Sequence, residues 1–301
     1  MTAVDPAPDG AVPANEPVDE PAPSRAHGYR PRHTLPFRVE ALRQLRRRRT
    51  LVMLGLLAAL PWILVVAFKV GGSPSRDNVP TLVDVATRSG LNLTAFALFV
   101  STGFLLVVAV ALFCGDTVAS EASWSSLRYL LAAPVPRARL LRVKLAVSLA
   151  YSAFALVLLP AMALLAGTIA FGWGPLEIPI GGTLGAGDAM ERMLIVVVYG
   201  IVSQLVVAAV AFWLSTVTDA PLGAVGGAVG LVVVSNIVDA VTALGSWRDV
   251  LPTHWQFAWV DALQADLEWE GMVKGSAISV AYACVFIALA FRHFERKDIV
   301  S

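Results

Sequence analysis

Six apolar runs dominate this chain, and each is about as long as a lipid bilayer is thick. The hydrocarbon core of a bilayer measures about 30 Å, so a spanning α-helix needs about 20 consecutive apolar residues. The runs lie at about 51–70, 91–115, 145–172, 193–218, 221–244 and 273–292. Because backbone polar groups inside a bilayer need partners within their own segment, runs of this length predict helices. The sequence therefore predicts an all-α polytopic membrane protein with six transmembrane helices.

The composition argues against a soluble globular protein. Of the 301 residues, 57% are hydrophobic and 15% are charged, whereas soluble domains carry roughly 25% charged residues. A formal net charge of +1 gives no support for nucleic-acid binding. Both cysteines, Cys114 and Cys284, lie inside apolar runs without CxxC or Cys/His spacing, so we predict neither a disulfide nor a metal site.

The first 36 residues differ in character from the rest of the chain. They hold eight of the 18 prolines and five acidic residues, with few bulky apolar side chains. Because such a segment cannot bury a core, we predict a disordered, acidic, Pro-rich cytosolic tail at 1–36. The transmembrane domain then occupies residues 37–301.

A basic amphipathic segment, FRVEALRQLRRRR at 37–49, precedes the first apolar run. Phe37, Ala41 and Leu45 are spaced at i, i+4 and i+8, which sets one apolar stripe among arginines. This pattern predicts a helix in the membrane interface, with its arginines at anionic headgroups. The alternative is a basic juxtamembrane stop without this role.

Lysine and arginine indicate the orientation in the membrane. They concentrate in three segments, at 38–49, 128–144 and 292–297. With six spans all three segments fall on one side, and the positive-inside rule makes that side cytosolic. Both termini are therefore predicted to be cytosolic. The Ala-, Val-, Leu- and Arg-rich composition, with four lysines, indicates a bacterial cytoplasmic membrane.

The segment at 246–271 is too polar to span and rich in tryptophan. Trp side chains prefer the headgroup level of a bilayer, so we predict short helices at the outer leaflet before the last span. His254 lies here without an evident cluster of partners, which favours a structural role. In the fifth run, small residues form a face that allows close helix packing; they are Gly223, Gly226, Gly227 and Gly230.

The loop between spans two and three carries the clearest functional signal. Trp124, Leu127 and Leu131 recur at i, i+3 and i+7, with Arg128 one turn beyond Trp124. The spacing predicts an amphipathic helix that ends at Pro134 and Pro136. Such a helix either transmits the motion of a cytosolic partner into the bilayer or only lies on the membrane surface.

The same loop resembles the cytosolic loop of ABC-2 type transporter permeases. The likeness rests on EASWSSLRYLLAAP at 121–134, followed by Arg137 and Lys144. FERKDI at 294–299 resembles the family's basic ending, and LPTHW at 251–255 is similar to its antibiotic- and sodium-exporter branches. The chain departs from the pattern where many members have glycine and threonine, at Ser125 and Ser126.

This resemblance implies a half-transporter of six spans that pairs with a second permease subunit, as a homodimer or heterodimer, among membrane lipids. It also implies a separate cytosolic ATP-binding-cassette subunit. Glu121 and Arg128 would contact that subunit by charge, while Trp124 and Leu127, with Leu131 on the same face, would fill a groove on its surface. The cytosolic loop would then be a coupling helix.

The chain lacks a phosphate-binding loop of its own. No GxxxxGK[ST] motif occurs, so ATP and Mg²⁺ are expected in the partner subunit, and this chain is predicted to be a transport subunit without cofactors rather than an enzyme. No catalytic residues are predicted, because HExxH and GxSxG motifs are absent.

Few polar residues lie within the spans. Gln204, Asn236 and Asp239 are predicted either to line a substrate path or to pack helices by hydrogen bonds. The nearly uncharged spans suit export of a hydrophobic or amphipathic substrate such as an antibiotic, a drug or a lipid, with multidrug resistance as one outcome. The alternatives are an ABC-2-like permease for cofactor or metal-site maturation and an intramembrane enzyme.

Overall fold

The computed structural model describes residues 36–71, 82–123, 137–178, 182–264 and 266–296, and helices dominate them. In chain order the helices are α1 (Phe37–Leu45), α2 (Arg48–Gly71), α3 (Leu82–Ala86), α4 (Gly90–Thr102), α5 (Leu105–Ser123), α6 (Arg137–Phe171), α7 (Ala186–Ser203), α8 (Leu205–Val217), α9 (Pro221–Asp239) and α10 (Glu270–Arg296). Two 3₁₀ helices, Thr242–Val250 and Ala258–Leu263, lie between α9 and α10. A short antiparallel pair, β1 (Leu176–Glu177) and β2 (Thr183–Leu184), precedes α7.

The described part of the chain contains five helical segments that are long and apolar enough to cross a membrane. They are α2, α6, the stretch formed by α7 and α8, α9 and α10. Helices α4 and α5 pass the same test together, but they are bent by 59° relative to each other. The protein is thus an all-α, multi-pass membrane protein. Counting the bent pair as one span gives the six that the apolar runs predict.

The second apolar run is broken where the sequence predicts one continuous helix at 91–115. Helix α4 ends at Thr102 and α5 begins at Leu105. The Thr102 hydroxyl donates to the Leu98 carbonyl at 2.7 Å, and such back-bonding bends helices. Gly103 follows directly, and glycine is a poor helix former. The break therefore follows from two local features that hydrophobicity does not report.

Hydrogen bonds between segments show which helix ends lie together. We call the end that carries α1 and the end of α10 the basic end, and the end that carries Trp255 the aromatic end. At the basic end, Gln44 of α1 donates to the Phe113 carbonyl of α5 at 3.1 Å, and Arg137 of α6 donates to the Glu295 carbonyl of α10 at 3.3 Å. At the aromatic end, the Tyr199 hydroxyl donates to the Trp255 carbonyl at 2.5 Å. Helix α1 and the end of α10 thus share one end of the bundle.

A close crossing of two helices lies outside the predicted glycine face. A Cβ added at Gly90 of α4 would lie 2.6 Å from Thr168 Oγ1 of α6, and one at Gly167 would lie 2.8 Å from the Gly90 Cα. Glycine is needed there because the two backbones meet. In the predicted glycine face, Gly226 and Gly230 have nothing within 4 Å of an added Cβ.

Two sequence predictions concern residues that the structure leaves undescribed, in whole or in part, and a third concerns a membrane location. The tail at 1–36 lies outside the described residues except for Pro36. The loop helix around Trp124 falls in the undescribed segment 124–136. The location of α1 in the membrane interface stays a prediction, although the helix itself is present at Phe37–Leu45.

Candidate functional site

A buried ionic cluster brings three elements together at the basic end. The Lys144 ammonium, near the start of α6, lies 2.6 Å from Glu121 Oε1 and 2.9 Å from Glu40 Oε1. The Lys144 side chain is 1% exposed, and both carboxylates are similarly buried. Because isolated buried charges are expensive, the mutual pairing holds α1, α5 and α6 in register.

Arginines surround this cluster and extend it to the start of α2. Arg43 pairs with Glu121 and with Glu40, the latter at 3.5 Å. Arg47 Nη1 lies 2.8 Å from Asp116 Oδ2, and Arg49 Nη1 lies 2.8 Å from Asp116 Oδ1. The two arginines bind the same carboxylate from one side, so the start of α2 is held against the last turns of α5.

The positive charges around Glu40 lower the pKa of its carboxyl group. Burial by itself would raise the pKa of this carboxyl, but the charge and hydrogen bond of Lys144, together with the charges of Arg43 and Arg47, outweigh burial and lower the pKa below its ordinary value of 4.5. Glu40 is therefore ionised at neutral pH, as the ion pair with Lys144 requires.

Of the predicted coupling residues, Glu121 is the one that the structure describes. Its carboxylate is buried and pairs with Lys144 and Arg43 within the chain. Trp124, Leu127, Arg128 and Leu131 lie outside the described residues. Sequence analysis did not identify Glu40 or Lys144. A signal existed, since Glu40 interrupts an arginine-rich stretch and Lys144 is one of four lysines and directly precedes an apolar run.

Gln204 lies where α7 passes into α8, and it is 5% exposed. It lines a cavity of about 20 Å³ together with Thr102, Gln256 and Trp259. Among the described residues, neither Gln204 Oε1 nor the Trp259 indole nitrogen has a hydrogen-bond partner. A cavity of this size has room for one water molecule, which would donate to Gln204 Oε1. The break between α4 and α5 and the α7–α8 junction therefore border one polar cavity.

Asn236 and Gln204 are linked through Gln256. The Gln256 amide donates to Asn236 Oδ1 at 3.2 Å and also borders the Gln204 cavity. Gln256 belongs to the segment between the two 3₁₀ helices, and sequence analysis did not select it. Gln204 of the fourth predicted span and Asn236 of the fifth thus both lie close to Gln256, a residue of the aromatic end.

Asp239, at the end of α9, contacts two side chains of the aromatic end. Asp239 Oδ1 lies 2.5 Å from His254 Nδ1 and 3.3 Å from Arg248 Nε. The expectation that His254 has no cluster of partners is therefore wrong. The fold supplies two carboxylates, because His254 Nε2 also lies 3.5 Å from Asp249 Oδ1.

The His254 geometry does not favour hydrolase chemistry. A hydrolase base needs one ring nitrogen on a carboxylate and the other on a nucleophilic hydroxyl. Here both ring nitrogens face carboxylates, those of Asp239 and Asp249. The nearby Ser235 hydroxyl is hydrogen-bonded to the Thr253 hydroxyl at 2.7 Å. The cluster instead joins the end of α9 to the segment that follows it.

Comparison with known proteins gives a family for this chain without a function. A search of curated proteins found no match. One family profile matches residues 62–300, from the middle of α2 to the last residues of the chain. The match covers Glu121 and Lys144, while α1 with Glu40 precedes it. The chain belongs to the family described as Protein of unknown function (DUF2705).

Proposed function

We propose that this chain is the membrane permease of an ATP-driven exporter of the ABC-2 type, which moves a hydrophobic or amphipathic substrate out across the bacterial cytoplasmic membrane. A separate ATP-binding-cassette subunit would hydrolyse ATP. The observation that carries the proposal is the ion pair between Glu121 and Lys144, which closes the base of the segment 124–136 at 2.6 Å.

The ion pair joins the two helices that flank the segment 124–136, which suits this segment to pass the movement of a partner to both helices. A partner bound to this segment would push on α5 and α6 together, because Glu121 belongs to one helix and Lys144 to the other. Glu40 adds α1 to the same unit. Separating these helices would leave buried charges without their partners. Each lost partner costs about 3–5 kcal/mol. A push is therefore passed on as movement of whole helices.

Two helix junctions offer places where such movement is absorbed. The bend after Thr102 and the α7–α8 junction at Gln204 border the same small cavity. Hinges in proteins are commonly a few residues at the ends of elements, where backbone angles change. We infer that the halves of these two spans pivot there when the partner binds or releases ATP.

The distribution of basic residues supports an orientation in the membrane, and the glycine face of α9 supports pairing with a second subunit. The basic end carries α1 and the end of α10, so the positive-inside rule assigns it to the cytosol, with six spans and both termini inside. Gly226 and Gly230 on the glycine face of α9 have nothing within 4 Å of an added Cβ in the single chain. A second permease subunit packed on this face would complete the transporter.

The direct test replaces Trp124 in the full-length chain co-expressed with a candidate ATP-binding subunit. Trp124→Ala should reduce co-purification of that subunit about thirtyfold or more, since buried aromatic anchors contribute at least about 2 kcal/mol to association. Stimulated ATP hydrolysis should fall in parallel.

Trp247→Ala is the matched control, because Trp247 lies at the aromatic end and is 78% exposed. This variant should leave both readouts unchanged. If Trp124→Ala keeps the bound subunit and the stimulated hydrolysis, segment 124–136 is only a surface element and the proposal fails.

A further inference from the structure

A cavity with a volume of about 350 Å³ lies at the aromatic end of the described chain. Ligand pockets commonly measure roughly 300–1,000 Å³. Its walls are apolar and come from α3, α4, the strand β1 and the 3₁₀ helix Ala258–Leu263. The side chains that define it include Leu82, Ala95, Phe96, Phe99, Ile178 and Leu263.

The cavity adjoins the apolar surface that would face lipid. Leu82 and Phe99 line it, and these side chains are 55% and 45% exposed. A ligand with an apolar chain can therefore enter sideways from a bilayer without crossing a polar layer. This access favours a membrane component over a ligand dissolved in water.

Two of the polar side chains that line the cavity, one of them a carboxylate, belong to residues that an arginine contacts. Glu177 and Gln264 line the rim. Arg88 Nε lies 3.7 Å from Glu177 Oε2, and Arg192 donates to the Gln264 carbonyl. Guanidinium groups bind phosphate oxygens well, and each arginine contacts a residue that lines the cavity.

Asn92 holds the rim in place and is not available to a ligand. Its Nδ2 donates to the Glu177 carbonyl at 2.9 Å, and its Oδ1 accepts from the Glu177 amide at 3.1 Å. The Ser89 hydroxyl donates to the same Oδ1 at 2.8 Å. The start of α4 and the strand β1 are thereby fixed together, so the cavity is preformed rather than made by the ligand.

Trp259 supplies a second, independent observation. Its side chain is 3% exposed, and its indole N–H has no hydrogen-bond partner among the described residues. Trp259 lies in the wall between this cavity and the small Gln204 cavity. A buried donor without an acceptor costs free energy, which an acceptor oxygen on a bound ligand would recover.

We propose that this cavity binds one acyl chain of a glycerophospholipid from the surrounding leaflet. The acyl chain fills the apolar space, an ester oxygen accepts from the Trp259 indole, and the phosphate lies at the rim beside Arg88 and Arg192. This lipid site stands independently of the export proposal, since it requires no ATP-binding subunit.

The test uses the full-length chain reconstituted in nanodiscs of phosphatidylglycerol and phosphatidylcholine. A trace phospholipid with a diazirine in one acyl chain is photolysed, and its adducts are mapped by mass spectrometry. We expect adducts enriched on the peptides around Phe96 and Leu263. Excess unlabelled phospholipid, added in detergent before reconstitution, should suppress these adducts saturably, while adducts on the rest of the apolar surface decline only by dilution.

Two variants locate the site. Ala95→Trp fills the cavity and should abolish the enriched adducts, whereas Ala288→Trp, at an exposed position of α10, should leave them intact. Trp259→Phe keeps the ring but removes the donor, and should weaken retention about tenfold, the factor that corresponds to one neutral hydrogen bond.

Uniform labelling of all apolar surfaces, without saturable enrichment in the unmodified chain, would overturn the proposal and indicate annular lipid only. This readout does not depend on any variant, so a folding defect of Ala95→Trp would not protect the proposal. Enriched labelling that survives in a folded Ala95→Trp variant would likewise refute the assignment to this cavity.

Discussion

Lys144 Nζ lies 2.6 Å from Glu121 Oε1, and Glu40 Oε1 accepts from the same ammonium at 2.9 Å. Glu40 is 104 residues from Lys144 in the chain. The ammonium thus joins three helices, and its removal is the most informative change in the molecule.

Lys144→Met should destabilise the protein by up to about 3–5 kcal/mol, because it removes the buried cation that Glu40 and Glu121 share and leaves them only the more exposed arginines. The double variant with Glu121→Gln should recover part of that loss. Thermal unfolding of the purified chain in detergent measures both effects. Arg49→Ala is the control, since its side chain is 54% exposed in its pair with Asp116 and such pairs contribute about 1 kcal/mol or less. Equal effects of Lys144→Met and Arg49→Ala would contradict the buried cluster.

Acid should weaken the same cluster. The pKa of Glu40 is lowered in the folded protein, so ionised Glu40 contributes stability that is fully present above its ordinary pKa of 4.5. That contribution is lost as the pH falls below 4.5 and through the folded value. Midpoints of thermal unfolding between pH 3 and pH 7 should therefore converge for the wild type and Glu40→Gln at the acid end. Parallel curves across this range would be evidence against the ion pair.

Accessibility of single cysteines tests the orientation. In a Cys284→Ala background, which removes the exposed native thiol, an impermeant maleimide added from outside should label Ser75→Cys and Ser246→Cys but not Ala138→Cys or Ser301→Cys. The reason is the charge bias, which assigns both termini and the segment before α6 to the cytosol. Labelling of Ser301→Cys from outside would require an odd number of spans and exclude the six-span topology.

The glycine face of α9 should matter between subunits and not within one. Gly226→Leu and Gly230→Leu meet nothing within 4 Å in the single chain, so the fold should survive while dimer formation, measured by cross-linking in membranes, is lost. Gly55→Leu, at another open position on α2, is the control and should leave the dimer intact.

Gly90→Leu should behave in the opposite way, because an added Cβ would lie 2.6 Å from Thr168 Oγ1 inside the chain. We expect loss of folded monomer in that variant. If Gly226→Leu and Gly230→Leu leave the cross-linked dimer unchanged, the pairing surface is not on α9.

The amino-acid sequence by itself determined where the membrane-crossing helices lie. Helix α9 begins at Pro221 as the fifth run does, and α6 ends at Phe171, within one residue of the end of the third run. Apolar length is a property of consecutive residues, so it is visible without any knowledge of neighbours. The break after Thr102 was missed because side-chain back-bonding and one glycine leave the apolar run uninterrupted.

Only the tertiary structure decided which polar residues act together. Glu40, Glu121 and Lys144 come from three separate segments, and His254 acquires Asp239 and Asp249 through folding of the aromatic end. Composition and periodicity carry no information about such pairs, because they report which face of a helix is apolar and not which side chains meet after the chain folds. The low dielectric of the packed bundle then makes each pairing obligatory, which is why burial of the charges, and not their presence in the sequence, gives them their role.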